Sequence, residues 1–114
     1  MWTPVEIANG IQANLTALDD LVDQVTKAGH EAAVTEAKYK IDFAKARLTV
    51  KATALERLTV SDIEAEATIQ CEDSYLAYLI AENKLTTIRE ALRATQSKLD
   101  GYRTLSASIR GAGG

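Results

Sequence analysis

Leu58-Thr59-Val60-Ser61-Asp62-Ile63-Glu64 is the clearest punctuation in the chain. Thr59 or Ser61 can cap a helix, and Ser61 to Glu64 has capping-box spacing, so a helix is expected to begin here. On either side the sequence avoids helix breakers. Pro4 is the single proline, and glycines gather only at the very end. The reading is all-α: a helical arm over 4–57, a turn at 58–61, a second arm over 62–110 and a flexible tail at 111–114. With 114 residues, a single helical domain over 1–110 with a modest core is expected.

The first arm opens on Thr3-Pro4-Val5-Glu6, where Thr3 caps, Pro4 suits the first helical position and Glu6 completes a capping box. Ile11, Leu15, Leu18, Val22 and Val25 then recur at spacings of three and four, with Asn14 off the seam. Ala28-Gly29-His30 interrupts this phase. A second seam runs through Val34, Ala37, Ile41, Ala44, Leu48 and Leu55. Gly29 is either a turn or a place where the helix continues with a kink, and the continuous or kinked helix is favoured because no proline or asparagine accompanies it. The second arm carries Tyr78, Ala81, Leu85, Ile88, Leu92, Thr95, Leu99, Tyr102, Ser106 and Ile109, again in heptad rhythm.

The two arms match in length, each roughly 75–80 Å at about 1.5 Å per residue. Folding at 58–61 makes a long antiparallel helical hairpin of coiled-coil type. The charges agree with that register. Residues 1–37 hold six acids and one base, 38–57 six bases and two acids, 58–83 six acids and no base, and 84–114 six bases and two acids. Antiparallel folding sets each acidic block beside a basic one. Leu21, Val50, Leu76, Leu79, Ile80 and Leu105 are left partly outside the shared seam. This surplus predicts a homo-oligomer, with Leu76, Leu79 and Ile80 as the oligomer or partner surface.

Catalytic and metal-binding constellations are missing from the sequence. His30 is the single histidine, so a familiar zinc site is not expected, and Cys71 has no second thiol to pair with. The acids Glu64, Glu66, Glu72 and Asp73 lack the Glu-x-x-His pairs of di-metal bundles. There is no phosphate-binding glycine loop and no nucleophile motif. The expectation is a protein that is not an enzyme, with no cofactor, no metal and no small-molecule substrate. No stretch approaches the roughly 20 apolar residues of a membrane span, and Met1-Trp2-Thr3-Pro4 does not read as a signal peptide. A cytoplasmic location away from the membrane is expected.

Two basic groups remain. Lys45, Arg47, Lys51 and Arg57, preceded by Lys38 and Lys40, form one; Arg89, Arg103 and Arg110, sharing one heptad position, form a second stripe. Such groups either track a phosphate backbone or pair across the hairpin with the facing acids. Tyr39 and Phe43, one turn apart, are placed to stack on bases in the first case.

Phe43-Ala44-Lys45-Ala46-Arg47-Leu48 resembles the Lys-Ala-Arg-Leu segment of the recombination mediators of T-even bacteriophages. The later layout is also similar: Tyr75 and Tyr78, then Ala91-Leu92, Leu99-Asp100, Tyr102-Arg103 and Ile109-Arg110. The run from Leu92 to Arg110 looks like small phage proteins encoded near recombination or replication genes. The resemblance covers residues 39–110 through short, alanine-rich motifs. It implies a small helical oligomer that helps load a recombinase onto single-stranded DNA in the host cytoplasm. Its partners would be single-stranded DNA and a recombinase or single-strand-binding protein, and Lys45 and Arg47 fall on the family's basic segment. The rival expectation is a helical protein-protein interaction module, such as a virion component or host-factor inhibitor, without nucleic-acid affinity.

Overall fold

The computed structural model describes residues 1–113. It contains three helices: α1 (Pro4–Thr53), α2 (Val60–Gln70) and α3 (Glu72–Gly113). The fold is all-α, a helical hairpin of coiled-coil type in which α1 pairs antiparallel with α2 and α3.

Local chemistry sets the helix starts. The Thr3 amide donates to Glu6 Oε2 at 3.0 Å and the Glu6 amide to Thr3 Oγ1 at 3.1 Å, a reciprocal capping box. At α2 the cap is Thr59, whose Oγ1 accepts from the Asp62 amide at 3.1 Å and donates to Asp62 Oδ2 at 2.8 Å. The Ser61-to-Glu64 box is not used, because Ser61 already lies inside α2.

Four expected boundaries are corrected. The first arm stops at Thr53 rather than at 57, and residues 54–59 make the reversal rather than 58–61. Near this end the hydroxyls of Thr49 and Thr53 bond back to carbonyls four residues earlier, a side-chain competition that weakens a helix terminus. The second arm begins at Val60 and is interrupted at Cys71. Helical bonding bridges this residue, since the Cys71 amide reaches Ala67 O and the Tyr75 amide reaches Cys71 O. The segment expected as a tail is helical through Gly113, and Gly114 lies outside the described residues.

The expected single domain divides into two compact units. The first pairs Met1–Lys27 with the part of α3 from Thr86 onward. Here Trp2 and Tyr102 meet edge to face, ring centroids 5.6 Å apart. Tyr102 also lies so close to α1 that a Cβ at Gly10 would overlap three atoms of its ring, the farthest at 2.9 Å, and would force the ring to shift.

The second unit, Ala28–Leu85, contains the reversal. Its core mixes small and larger residues from both arms. Ala28, Ala32, Ala46 and Val50 are buried, as are Ile63, Ala67, Ala81 and Leu85. Tyr39 sits among Tyr75 at 4.9 Å, Tyr78 at 5.7 Å and Phe43 at 5.8 Å. Glu31 meets Lys84 at 3.4 Å.

The α3 seam is the expected one, from Tyr78 to Ile109, and extends backward through Ser74, Cys71 and Ala67 without losing its rhythm. The α1 seam is not. Gly29 sits within an unbroken helix, and the heptad continues through it: Ile7, Ile11, Asn14, Leu18, Leu21, Val25, Ala28, Ala32, Thr35, Tyr39, Ala46 and Val50 face inward. Leu15 and Val22 are displaced from the seam by one residue each. Asn14 is half-buried and satisfies itself by donating to Gly10 O at 2.7 Å. Leu21 and Val50, expected outside, are inside.

Candidate interaction surfaces

The second seam expected on α1 exists, but it faces outward. Val34, Ala37, Ile41, Ala44 and Leu48 are all exposed; Val34, Ile41 and Leu48 are 53%, 56% and 69% accessible. Leu55 continues the spacing into the reversal and is exposed as well. At 3.5–3.6 residues per turn this stripe lies on the order of 150° around α1 from the packed one. One helix therefore carries two heptad stripes on nearly opposite sides, and the alanine- and tyrosine-containing stripe is the one inside. On the inner stripe Tyr39 packs its ring against Tyr75 and Tyr78, an aromatic contact that the outer stripe has no residue to make.

Leu76, Leu79 and Ile80, the expected partner surface, are exposed on one face of α3 at spacings of three and four. Ile69, seven residues before Leu76 and 65% accessible, extends that face back onto α2. It is away from the seam because α3 packs through Ser74, Tyr78 and Ala81. Sequence reading missed Ile69, although its heptad offset from Leu76 was the available signal.

The charged flanks differ. Beside the α1 stripe lie Lys38 and Lys45 on one edge, Lys40 and Arg47 on the other, and Lys51 within it. Beside the α2–α3 stripe lie Glu66, Glu72 and Asp73, all exposed.

Cross-helix pairing uses little of this charge. Among the described residues one ion pair joins different helices, Glu31–Lys84; the others are local. Lys38 contacts Asp42 at 2.6 Å and Lys40 contacts Glu36 at 2.8 Å, each four residues away on α1. Hydrogen bonds from Lys38 and Ser74 hold the Asp42 carboxyl below its ordinary range, and the bond to Glu36 raises Lys40. Lys45, Arg47, Lys51 and Arg57 make no ion pair among the described residues.

These four expected nucleic-acid contacts do not form one patch. Lys45 lines a groove with Asp42, Asp73 and Ser74. Arg47 lies beside Lys51, its guanidinium 6.0 Å from the Phe43 ring. Lys51 in turn shares a depression with Arg57, which stands in the reversal rather than on a helix. Two residues apart on a helix point to opposite edges, so Lys45 and Arg47 are separated by the Ala44–Leu48 stripe. Tyr39, the expected base-stacking candidate, is half-buried and packs its ring against Tyr75 and Tyr78.

The second stripe, Arg89, Arg103 and Arg110, is exposed along one edge of α3 in the first unit. Arg103 reaches Asp100 at 3.7 Å. Arg110 lies in the last turn, where a cation complements the helix dipole.

Cys71 is buried, and its Sγ donates to Ala67 O at 2.9 Å. Burial, reinforced by the Asp42 charge, pushes the thiol above its ordinary value, away from nucleophile chemistry.

No family model, curated protein or solved structure matches this chain. The outer faces must therefore be read from their own geometry. No helix among the described residues is long and apolar enough to cross a membrane.

Proposed function

We propose that this chain is a non-enzymatic helical interaction protein, working by docking other helices on the outer faces of α1 and of α2–α3. The observation that carries the reading is the exposed Val34–Leu48 stripe. It keeps coiled-coil spacing over two heptads on a helix whose other side is already packed. Scattered surface aliphatics need no partner, but a periodic row does. A photo-cross-linking residue placed at Ile41 or Leu76, in the cells that make the protein, should trap a protein adduct. The same residue at exposed Asp19 should trap none. Equal yields at all three positions, or no adduct, would sink the reading.

A second reading is accessory work in phage-type recombination or replication, on single-stranded DNA with a recombinase or single-strand-binding partner. It is supported by the succession of Arg47, Lys51 and Arg57 from the end of α1 into the reversal, with Glu56 the one acid lining the depression that Lys51 and Arg57 share, and by the resemblance of 43–48 to T-even recombination mediators. Under it, a labelled oligo-dT binds at low salt, binding fades as salt rises, and Arg47→Ala with Lys51→Ala weakens it. An oligonucleotide that stays free at low salt removes this reading and leaves the first untouched.

A further inference from the structure

We propose that this chain assembles with copies of itself by seating the basic α1 face of one copy on the acidic α2–α3 face of the next. The proposal rests on the helix-docking reading above and names the partner as a second copy.

Three observations carry it. The first is that both faces belong to the same compact unit and lie at the same level of the hairpin. Tyr39 packs against Tyr75 and Tyr78, and Glu31 pairs with Lys84. Ile41 thus stands at the height of the residues around Ser74, and Val34–Leu48 spans the same stretch as Ile69–Ile80. A neighbour set alongside with no axial shift brings the two stripes together, with α1 antiparallel to the neighbour's α3. This is the pairing that the helices already make within one chain.

The second observation is charge. Lys51 by the α1 stripe, and Glu66 and Glu72 by the other, make no ion pair among the described residues; Lys45 and Asp73, which line one groove within the chain, make none either. An α1-to-α1 contact would oppose lysines to lysines, and an α3-to-α3 contact would oppose acids to acids. Only the unlike combination matches charge across an apolar centre.

The third is direction. The two stripes lie on the far sides of α1 and of α2–α3 from their shared seam, so each copy offers one face of each kind outward. Such an interface is heterologous. It leaves one face free at each end of a dimer and propagates into a ring or a row instead of stopping at two.

The experiment is the solution mass of the full chain by sedimentation equilibrium, for wild type, Ile41→Asp, Leu76→Asp and an equimolar mixture of the two variants. Wild type is expected to exceed a dimer. Each variant alone loses assembly and sediments as a monomer, because one of its two faces is blocked. The mixture forms a 1:1 dimer and nothing larger, since only one intact pair of faces remains. A wild-type monomer at all concentrations overturns the proposal. So does a dimer that survives either single variant, which indicates a two-fold contact between like faces.

A charge-reversal series at exposed positions leaves the apolar seam untouched, and a helical circular-dichroism spectrum for each variant keeps loss of folding apart from loss of assembly. Lys45→Glu with Lys51→Glu, or Glu66→Lys with Glu72→Lys, should each abolish assembly, and all four together should restore it. Assembly indifferent to these reversals overturns the proposal. A monomeric purified chain whose Ile41 still cross-links to a different protein in cells overturns this inference alone, leaving the helix-docking reading standing.

Discussion

Gly10 and Gly29 lie in the same helix and meet opposite surroundings. A Cβ at Gly10 would collide with the Tyr102 ring, whereas one at Gly29 meets nothing within 4 Å. Gly10→Ala should therefore destabilise by about 1–3 kcal/mol through overpacking. Gly29→Ala should stabilise by about 0.5–1 kcal/mol by removing backbone entropy from the unfolded chain. Thermal melts of the two variants check this, and movement of both midpoints in the same direction would refute it. Asp42 offers a pH test. Its folded pKa is held below the ordinary 3.8 by Lys38 and Ser74, so its contribution is complete above that value. The contribution is lost as pH falls through the lower folded pKa. Asp42→Asn should be less stable than wild type at pH 6 and converge with it in strong acid. A gap that stays constant with pH would remove the Asp42 assignment. Neither environment was legible in sequence. Gly10 looked like any helical glycine, and the Asp42–Ser74 contact joins residues brought together only by the fold.

At the scale of elements, the caps and the α3 seam were legible because their causes are local. Thr3 with Glu6, and Thr59 with Asp62, are interactions across three residues, and the α3 heptad is a pattern that one helix carries alone. The α1 stripe was misread because hydropathy favours Val34, Ile41 and Leu48 over Ala32, Tyr39 and Ala46. The partner helix instead presents Tyr75 and Tyr78, on which the Tyr39 ring packs. Adjacent substitutions separate the two assignments. Ala32 is buried at 3% exposure and Ala33 is exposed. Ala32→Leu should cost about 1–3 kcal/mol, and Ala33→Leu should stay within about 0.5 kcal/mol. Denaturant titration of both at low protein concentration decides the matter, and equal midpoints would count against Ala32 facing inward.

For the whole molecule, a hairpin with apolar stripes on both outer sides predicts stability coupled to concentration. Anything that binds the folded chain and not the unfolded one raises the apparent midpoint, and under the proposed self-assembly the binder is another copy. The thermal midpoint of wild type should climb with protein concentration, and that of Ile41→Asp should not. A concentration-independent wild-type midpoint would count against self-association. The sequence by itself determined helix, heptad rhythm, the position of the reversal within a few residues and the alternation of charge, because propensity, periodicity and capping act within about one helical turn. Only the tertiary structure decided which of α1's two stripes is buried. That choice depends on which residues of α2 and α3 pack against α1, such as Tyr75 and Tyr78 on Tyr39, far beyond one helical turn along the chain, and it turned the more hydrophobic stripe outward.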